Sequence, residues 1–166
     1  MTFPLTATTL EPAKQETDVA SKDAETHYQA MAHALKQLGQ SLGPGASDDP
    51  STRIRNVQAA VRTMREVLMH HQVLTEEEGG KIPEATSHKP ALIPESERLV
   101  AQHADMLRRA DELDREVELQ LAFEEFDAEL IHLEALVLRD LVRAHLWRAN
   151  SLAYEAYFRV EGGEGG

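Results

Sequence analysis

Apolar residues recur at alternating steps of three and four along four stretches of the chain, and this spacing limits the fold more than any other feature. Such steps place side chains on one face of an α-helix, where neighbouring helices can bury them. The clearest row starts with aliphatic residues and ends on polar ones. It comprises Ile54, Val57, Val61, Met64, Leu68, His71, Thr75 and Glu78.

The other three stretches carry similar rows, and two of them include a histidine. The first helix has Ala24, Tyr28, Met31, Leu35, Leu38 and Leu42. The third helix has Leu99, His103, Met106, Ala110, Leu113 and Val117. The last helix has Phe126, Leu130, Val137, Leu141, His145, Leu152 and Ala156.

Glycine and proline mark most of the helix ends. The Gly-Pro-Gly segment 43–45 and the Gly-Gly pair 79–80 end the first two helices. Ser51 or Thr52 can cap the second helix. Residues 81–94 contain three prolines, which predicts a loop.

The third helix then begins at Pro94 or Glu95. No glycine or proline marks its end, but closing a four-helix bundle requires a turn, which we place at residues 118–122. The sequence therefore predicts an all-α protein, an antiparallel up-and-down four-helix bundle over residues 21–161. Residues 1–20 and 162–166 are predicted to be flexible tails.

Charge and composition exclude several classes of function. A net charge of −12 opposes binding to nucleic acid or to an anionic membrane surface. The absence of cysteine excludes thiolate metal sites, and no apolar run approaches the roughly 20 residues that span a bilayer. The N-terminus lacks the basic and apolar segments of a signal peptide, so we expect a cytoplasmic protein. No activated nucleophile or matched acid–base pair is evident, so no catalysed reaction is predicted.

Histidines suggest a metal site at one end of the bundle. His71, His103 and His145 lie on three of the rows, and His27 flanks the fourth. Antiparallel packing brings all of these positions towards the same end. Imidazole binds iron, zinc and copper, and bundle cores build metal sites from facing helices. The candidate ligands are His27, His71, Glu76, Glu78, His103 and His145.

The two glutamates enter because acids at a helix C-terminus oppose the helix dipole, which suggests another role for one of them. A histidine on an apolar face is more often a hydrogen-bonded core residue than a ligand, so a metal-free layer stays open. His70 cannot share the face of His71 and is expected to face solvent.

Three stretches resemble the hemerythrin-like, cation-binding four-helix proteins of bacteria. They are His71 with the Glu-Glu-Glu-Gly-Gly run 76–80, the segment 98–103 ending in His103, and His145 with residues 155–157 and 162–164. The resemblance implies a non-haem di-iron site with histidines as terminal ligands and Glu76 as the nearest match for a bridging acid. Family members bind oxygen, sense oxygen or redox state, or handle iron.

The chain departs from that family pattern at two positions. Ala149 stands where the family has a carboxylate four residues after the last histidine, and Gln72 stands where it has a histidine. A two-metal site should be weakened severely by both changes. A single iron, zinc or nickel ion on histidines remains open, as does a metal-free bundle that acts on a protein partner or as a homo-oligomer.

Overall fold

A computed structural model of the chain describes residues 12–43 and 48–157, with side chains from residue 26 onward. Its elements are α1 (Pro12–Ser41), α2 (Pro50–Glu76), α3 (Lys81–His88), a 3-10 turn (Pro90–Leu92), α4 (Ile93–Phe123) and α5 (Ala128–Tyr157). The four long helices α1, α2, α4 and α5 pack as an antiparallel bundle, which confirms the predicted fold class.

Side-chain contacts between α2 and α4 reveal their opposite directions. Arg62 of α2 contacts Asp114 of α4 at 2.8 Å, and Arg65 contacts Asp111. His71, near the end of α2, then meets His103, near the start of α4. As the residue number rises along α2, the number of its contact partner in α4 falls, so the two helices are antiparallel. This register brings the histidines together.

Helix α2 begins at Pro50, and the side chain of the preceding residue, Asp49, caps its N-terminus. Asp49 Oδ2 accepts a hydrogen bond of 2.8 Å from the backbone N–H of Thr52, and Pro50 occupies the first turn. The predicted caps Ser51 and Thr52 were wrong, because both lie inside the helix and Ser51 donates to the same carboxylate. Pro50 favours this start, since a proline in the first turn loses no helical hydrogen bond.

The predicted loop 81–94 was also wrong, because most of it is helical. Pro83 lies in the first turn of α3, Pro90 begins the 3-10 turn and Pro94 lies in the first turn of α4. Each proline therefore lies in the first turn of its helical element, where proline is tolerated. In the interior of the element it would break the helix. Helix α3 packs against α2 and α5 and buries Ala85, so that it covers the end of the bundle.

The predicted turn at residues 118–122 was misplaced. Helix α4 continues to Phe123, and Glu124 ends it with a left-handed φ of 56°. Gln120 Oε1 then accepts a 2.9 Å hydrogen bond from the backbone N–H of Asp127, which fixes the turn into α5. Glycine usually occupies such a left-handed position, so the glutamate gave no sequence signal for the helix end.

The core rows predicted for α2 and α4 are buried, with the exception of Glu78. In α1 the predicted core residues Met31 and Leu38 are buried, but His27 and Ala34 are buried in place of Tyr28 and Leu35, and Tyr28 is 44 % exposed. His27 therefore belongs to the core face of α1 and does not merely flank it.

In α5 the first part of the predicted row was one residue away from the buried row. Leu130 and Val137 are 40 % and 47 % exposed. The buried row comprises Ile131, Ala135, Leu138, Val142, His145 and Leu152. It shares only its last part with the prediction, because α5 carries a second apolar stripe on its solvent face.

The ends of the chain fall partly outside the described residues. Helix α1 is already helical at Pro12, before the predicted start at Ser21. The rest of the predicted N-terminal tail, the segment 44–47 and the predicted C-terminal tail 162–166 lie outside the described part of the chain. Within residues 12–43 and 48–157, none of the helices has both the length and the apolar character needed to cross a bilayer.

Candidate metal centre

Three buried imidazoles converge at one level of the bundle. His71 is 6 % exposed, and His103 and His145 are each 1 % exposed. His145 Nε2 lies 3.1 Å from His71 Nε2 and 3.0 Å from His103 Nε2. One ligand atom from each ring lies within 4.8 Å of the others, so this His triad could hold a metal ion.

Each member of the His triad continues the buried row of its helix. His71 follows Leu68 in α2, His103 follows Leu99 in α4 and His145 follows Val142 in α5, each at a step of three or four. The helix period thus directs all three rings inward. The antiparallel register brings them to one level.

The outer nitrogen of each ring has its own partner. His103 Nδ1 lies 2.5 Å from Glu76 Oε1, and His145 Nδ1 lies 3.0 Å from Gln102 Oε1. His71 Nδ1 lies 2.8 Å from His27 Nε2. Partners of this kind on the far nitrogen fix the orientation and the tautomer of metal-binding histidines.

These partners determine where the protons lie. Carboxylate and amide oxygens only accept, so the Nδ1 atoms of His103 and His145 must donate. A neutral imidazole that donates from Nδ1 has a lone pair on Nε2. Two such lone pairs would then face each other at 3.0 Å. With Gln102 Oε1 facing His145, this arrangement is favourable only with a cation, either a metal ion or a proton, at the centre of the His triad. The reversed amide would instead let His145 Nε2–H donate to His103 Nε2 without a cation.

The nitrogen spacing also suits a metal ion. Metal–imidazole bonds are roughly 2.0–2.1 Å long, so two nitrogens on one ion lie about 2.8–3.4 Å apart for bond angles of about 90–110°. The observed separations of 3.0 and 3.1 Å fall in that range. A proton, in contrast, bridges only two nitrogens at a time.

Burial keeps two of the rings neutral near pH 7. Burial, and then the neighbouring His145 and His103, lowers the pKa of His71 to about 3. Burial, and then His103 and Arg148, lowers the pKa of His145 to about 3. A deprotonated ring is the form that binds metal, so neither must lose a proton near pH 7 before it can bind.

His27 lies beside the His triad and outside it. Its ring stacks on that of His71 with centroids 5.0 Å apart and an angle of 15° between the planes. Burial, and then the neighbouring side chains of His70 and Lys81, lowers the pKa of His27. The structure therefore gives His27 the position of a partner for His71. His70 is exposed, as its neighbouring position predicted.

The two glutamates named from the sequence have different surroundings. Glu76 is the last residue of α2 and contacts His103, while its second oxygen lies 3.4 Å from Gln72 Nε2. Glu78 lies in the turn after α2 and is exposed, away from the His triad. Within the described part of the chain, the His triad is the one cluster of three or more histidines or acids close enough to share an ion.

Gln102 and a neighbouring cavity escaped the sequence reasoning. Gln102 precedes His103 and points towards α5, a direction that no apolar period reveals. A cavity of about 360 Å³ borders the His triad, and Ala149 is among its lining residues. Ala149, which stands where the family resemblance implies a carboxylate, thus leaves open space next to the imidazoles.

Comparisons with known proteins gave no relative. Neither models of protein families, nor curated proteins, nor solved structures matched the chain.

Proposed function

We propose that the protein binds one divalent transition-metal ion through the Nε2 atoms of His71, His103 and His145. The observation that carries the proposal is the convergence of these atoms within a buried layer. The Nδ1 partners add support, because the oxygens beside His103 and His145 leave their Nε2 lone pairs free for a central cation, and His27 Nε2 can accept a proton from His71 Nδ1.

The donor set favours a single ion. A pair of irons is normally bridged by carboxylates, but Glu76 contacts His103 Nδ1 and Glu78 is exposed. Three imidazoles bring no negative charge, so they favour iron(II) over iron(III). The resemblance to hemerythrin-like proteins makes iron(II) the first candidate, and zinc(II) and nickel(II) suit the same donors.

A role in sensing fits one ion better than a role in storage. Three protein ligands leave coordination positions free, and the adjoining cavity gives a small molecule room to reach them. We therefore propose an iron-dependent sensor of oxygen or of redox state, with no catalysed reaction assigned.

The second candidate is a metal-free bundle that works through a protein partner. The short contact between His103 and Glu76 supports it, because a protonated His103 would form an ion pair with that carboxylate. His103 Nε2–H would then donate to His145 Nε2 at 3.0 Å. A proton would in this case be the central cation.

Elemental analysis of the untagged protein, purified without chelator after iron supplementation, separates these candidates. We expect about one metal ion per chain, and His103→Ala and His145→Ala should each remove most of it while helicity by circular dichroism stays unchanged. His33→Ala is the matched control, because His33 is exposed on α1. Unchanged metal content in both His-triad variants would refute the site, and a folded protein without metal would favour the second candidate.

A further inference from the structure

The cavity beside the His triad has a composition that suggests a ligand. It is lined on one side by the imidazoles and elsewhere mainly by apolar side chains, among them Leu74, Ile82, Leu99 and Leu152. Its volume of about 360 Å³ lies at the small end of the range for ligand pockets. Apolar walls next to one strongly polar group select a small molecule with an apolar body and one polar end.

The rim of the cavity carries a positive charge. Lys81 is the one lysine or arginine among the described lining residues. Its Nζ lies 4.6 Å from the centre of the Tyr28 ring and 3.4 Å from the Tyr28 hydroxyl, which donates to Asn150 Oδ1 at 2.9 Å. On a protein of net charge −12, a cation at this position favours the entry of an anion.

One further feature favours an anionic head group. A divalent ion on three neutral imidazoles would bring a double positive charge into a buried layer, where the Glu76 carboxylate at His103 Nδ1 supplies one negative charge. An anion bound to the ion would offset the remaining charge.

From these observations we propose that the cavity binds a small apolar monocarboxylate whose carboxylate coordinates the metal ion of the His triad. The hydrocarbon part packs against the apolar walls, and Lys81 attracts the anion at the rim. This inference rests on the metal site of the proposed function. It adds the chemical class of the ligand that would bind the metal ion from the cavity.

The test uses cobalt(II)-loaded protein and a series of probes: acetate, butanoate, hexanoate and the neutral hexan-1-ol. Calorimetry measures affinity, and the visible absorption of cobalt(II) reports whether the head group reaches the metal. Each buried methylene should tighten binding about fourfold, so hexanoate, with four more methylenes, should bind roughly 250-fold more tightly than acetate. We expect hexanoate to change the cobalt spectrum and hexan-1-ol to bind far more weakly.

Two variants fill the cavity without altering a metal ligand. Ala149→Leu and Ala153→Leu both introduce a larger side chain into its wall and should remove the gain of hexanoate over acetate. Ala144→Leu, the same change on the same helix outside the lining, is the matched control. Lys81→Gln should weaken every carboxylate by a similar factor and leave the dependence on chain length intact.

The outcomes separate the inference from the proposed function. A protein that takes up no metal overturns both. A metal-loaded protein overturns the inference alone if affinity is independent of chain length, if hexan-1-ol binds as well as hexanoate, or if the cobalt spectrum does not respond to the carboxylates. Length-dependent binding that Ala149→Leu or Ala153→Leu abolishes, while metal content and Ala144→Leu behave as wild type, supports it.

Discussion

The metal-free protein should lose stability steeply on mild acidification, because two buried imidazoles must gain charge. Burial, helped by neighbouring histidines, lowers the pKa of His71 and of His145 from 6.5 to about 3. In the unfolded chain both rings return to ordinary values. The folded pKa lies below the unfolded one, so stability is complete above about pH 6.5 and falls as the pH drops towards 3.

The expected loss is large enough to measure. At pH 5 the solution is about 1.5 units below the unfolded pKa, and each unit corresponds to about 1.4 kcal/mol. Each ring therefore costs about 2 kcal/mol of unfolding free energy at pH 5, and the pair costs about 4 kcal/mol. Native domains have only about 5–15 kcal/mol in total, so the chelated protein should be near its unfolding transition at that pH.

Urea unfolding followed by circular dichroism, in the presence of chelator at pH 7.5 and pH 5, measures this loss. The double variant His71→Leu/His145→Leu should lose about 4 kcal/mol less than the wild type between the two pH values. Carboxylates titrate in both proteins. Their contribution therefore cancels when the pH dependence of the unfolding free energy of the variant is subtracted from that of the wild type. His33→Leu on the exposed face of α1 should behave as wild type. Equal pH dependence in the double variant and the wild type would refute the reasoning.

Three further results are expected. Glu76→Ala removes the oxygen next to His103 Nδ1 and should weaken metal binding about 10- to 100-fold in a competition titration, whereas unaltered affinity would mean that this contact does not orient the ring. Met64→Ala empties a fully buried core position and should lower the unfolding free energy by about 2–5 kcal/mol in urea titrations, and a change below 1 kcal/mol would contradict the packing. Glu124→Gly relieves a left-handed φ of 56° and should raise the melting temperature through roughly 0.5–1 kcal/mol of stabilisation, while a lower value would contradict the strain.

The helices and part of the candidate site could be predicted because they depend on periodicity. In α2 and α4 a single apolar row exists, so the core face and the inward direction of His71 and His103 followed from the sequence. In α5 a second apolar row lies on the exposed face, with Leu133 at 53 % and Trp147 at 70 % exposure. Periodicity cannot choose between two rows with the same step, so the prediction mixed them.

Contacts that depend on tertiary geometry could not be predicted in this way. The stacking of His27 on His71 depends on which face of α1 points into the core. One aromatic residue, Tyr28, was enough to misassign that face in the prediction. Gln102 reaches His145 across a helix interface, and no local spacing encodes that contact. The helical structure of residues 81–92 was not predicted, because the sequence alone does not distinguish a proline that begins a helix from one that breaks it.

The His triad divides the apolar interior into two parts. The larger part lies on the side of Met64, Met106 and Val142. The smaller part lies beyond the histidines and consists of Ala85, Leu92, Leu99 and Leu152. A polar layer between them weakens their cooperativity, so α3 and the 3-10 turn form a unit that can unfold locally while the bundle stays folded. In native-state hydrogen exchange, amides of residues 81–92 should exchange at a lower opening free energy than those around Met64, and these local openings would admit molecules too large for the rim.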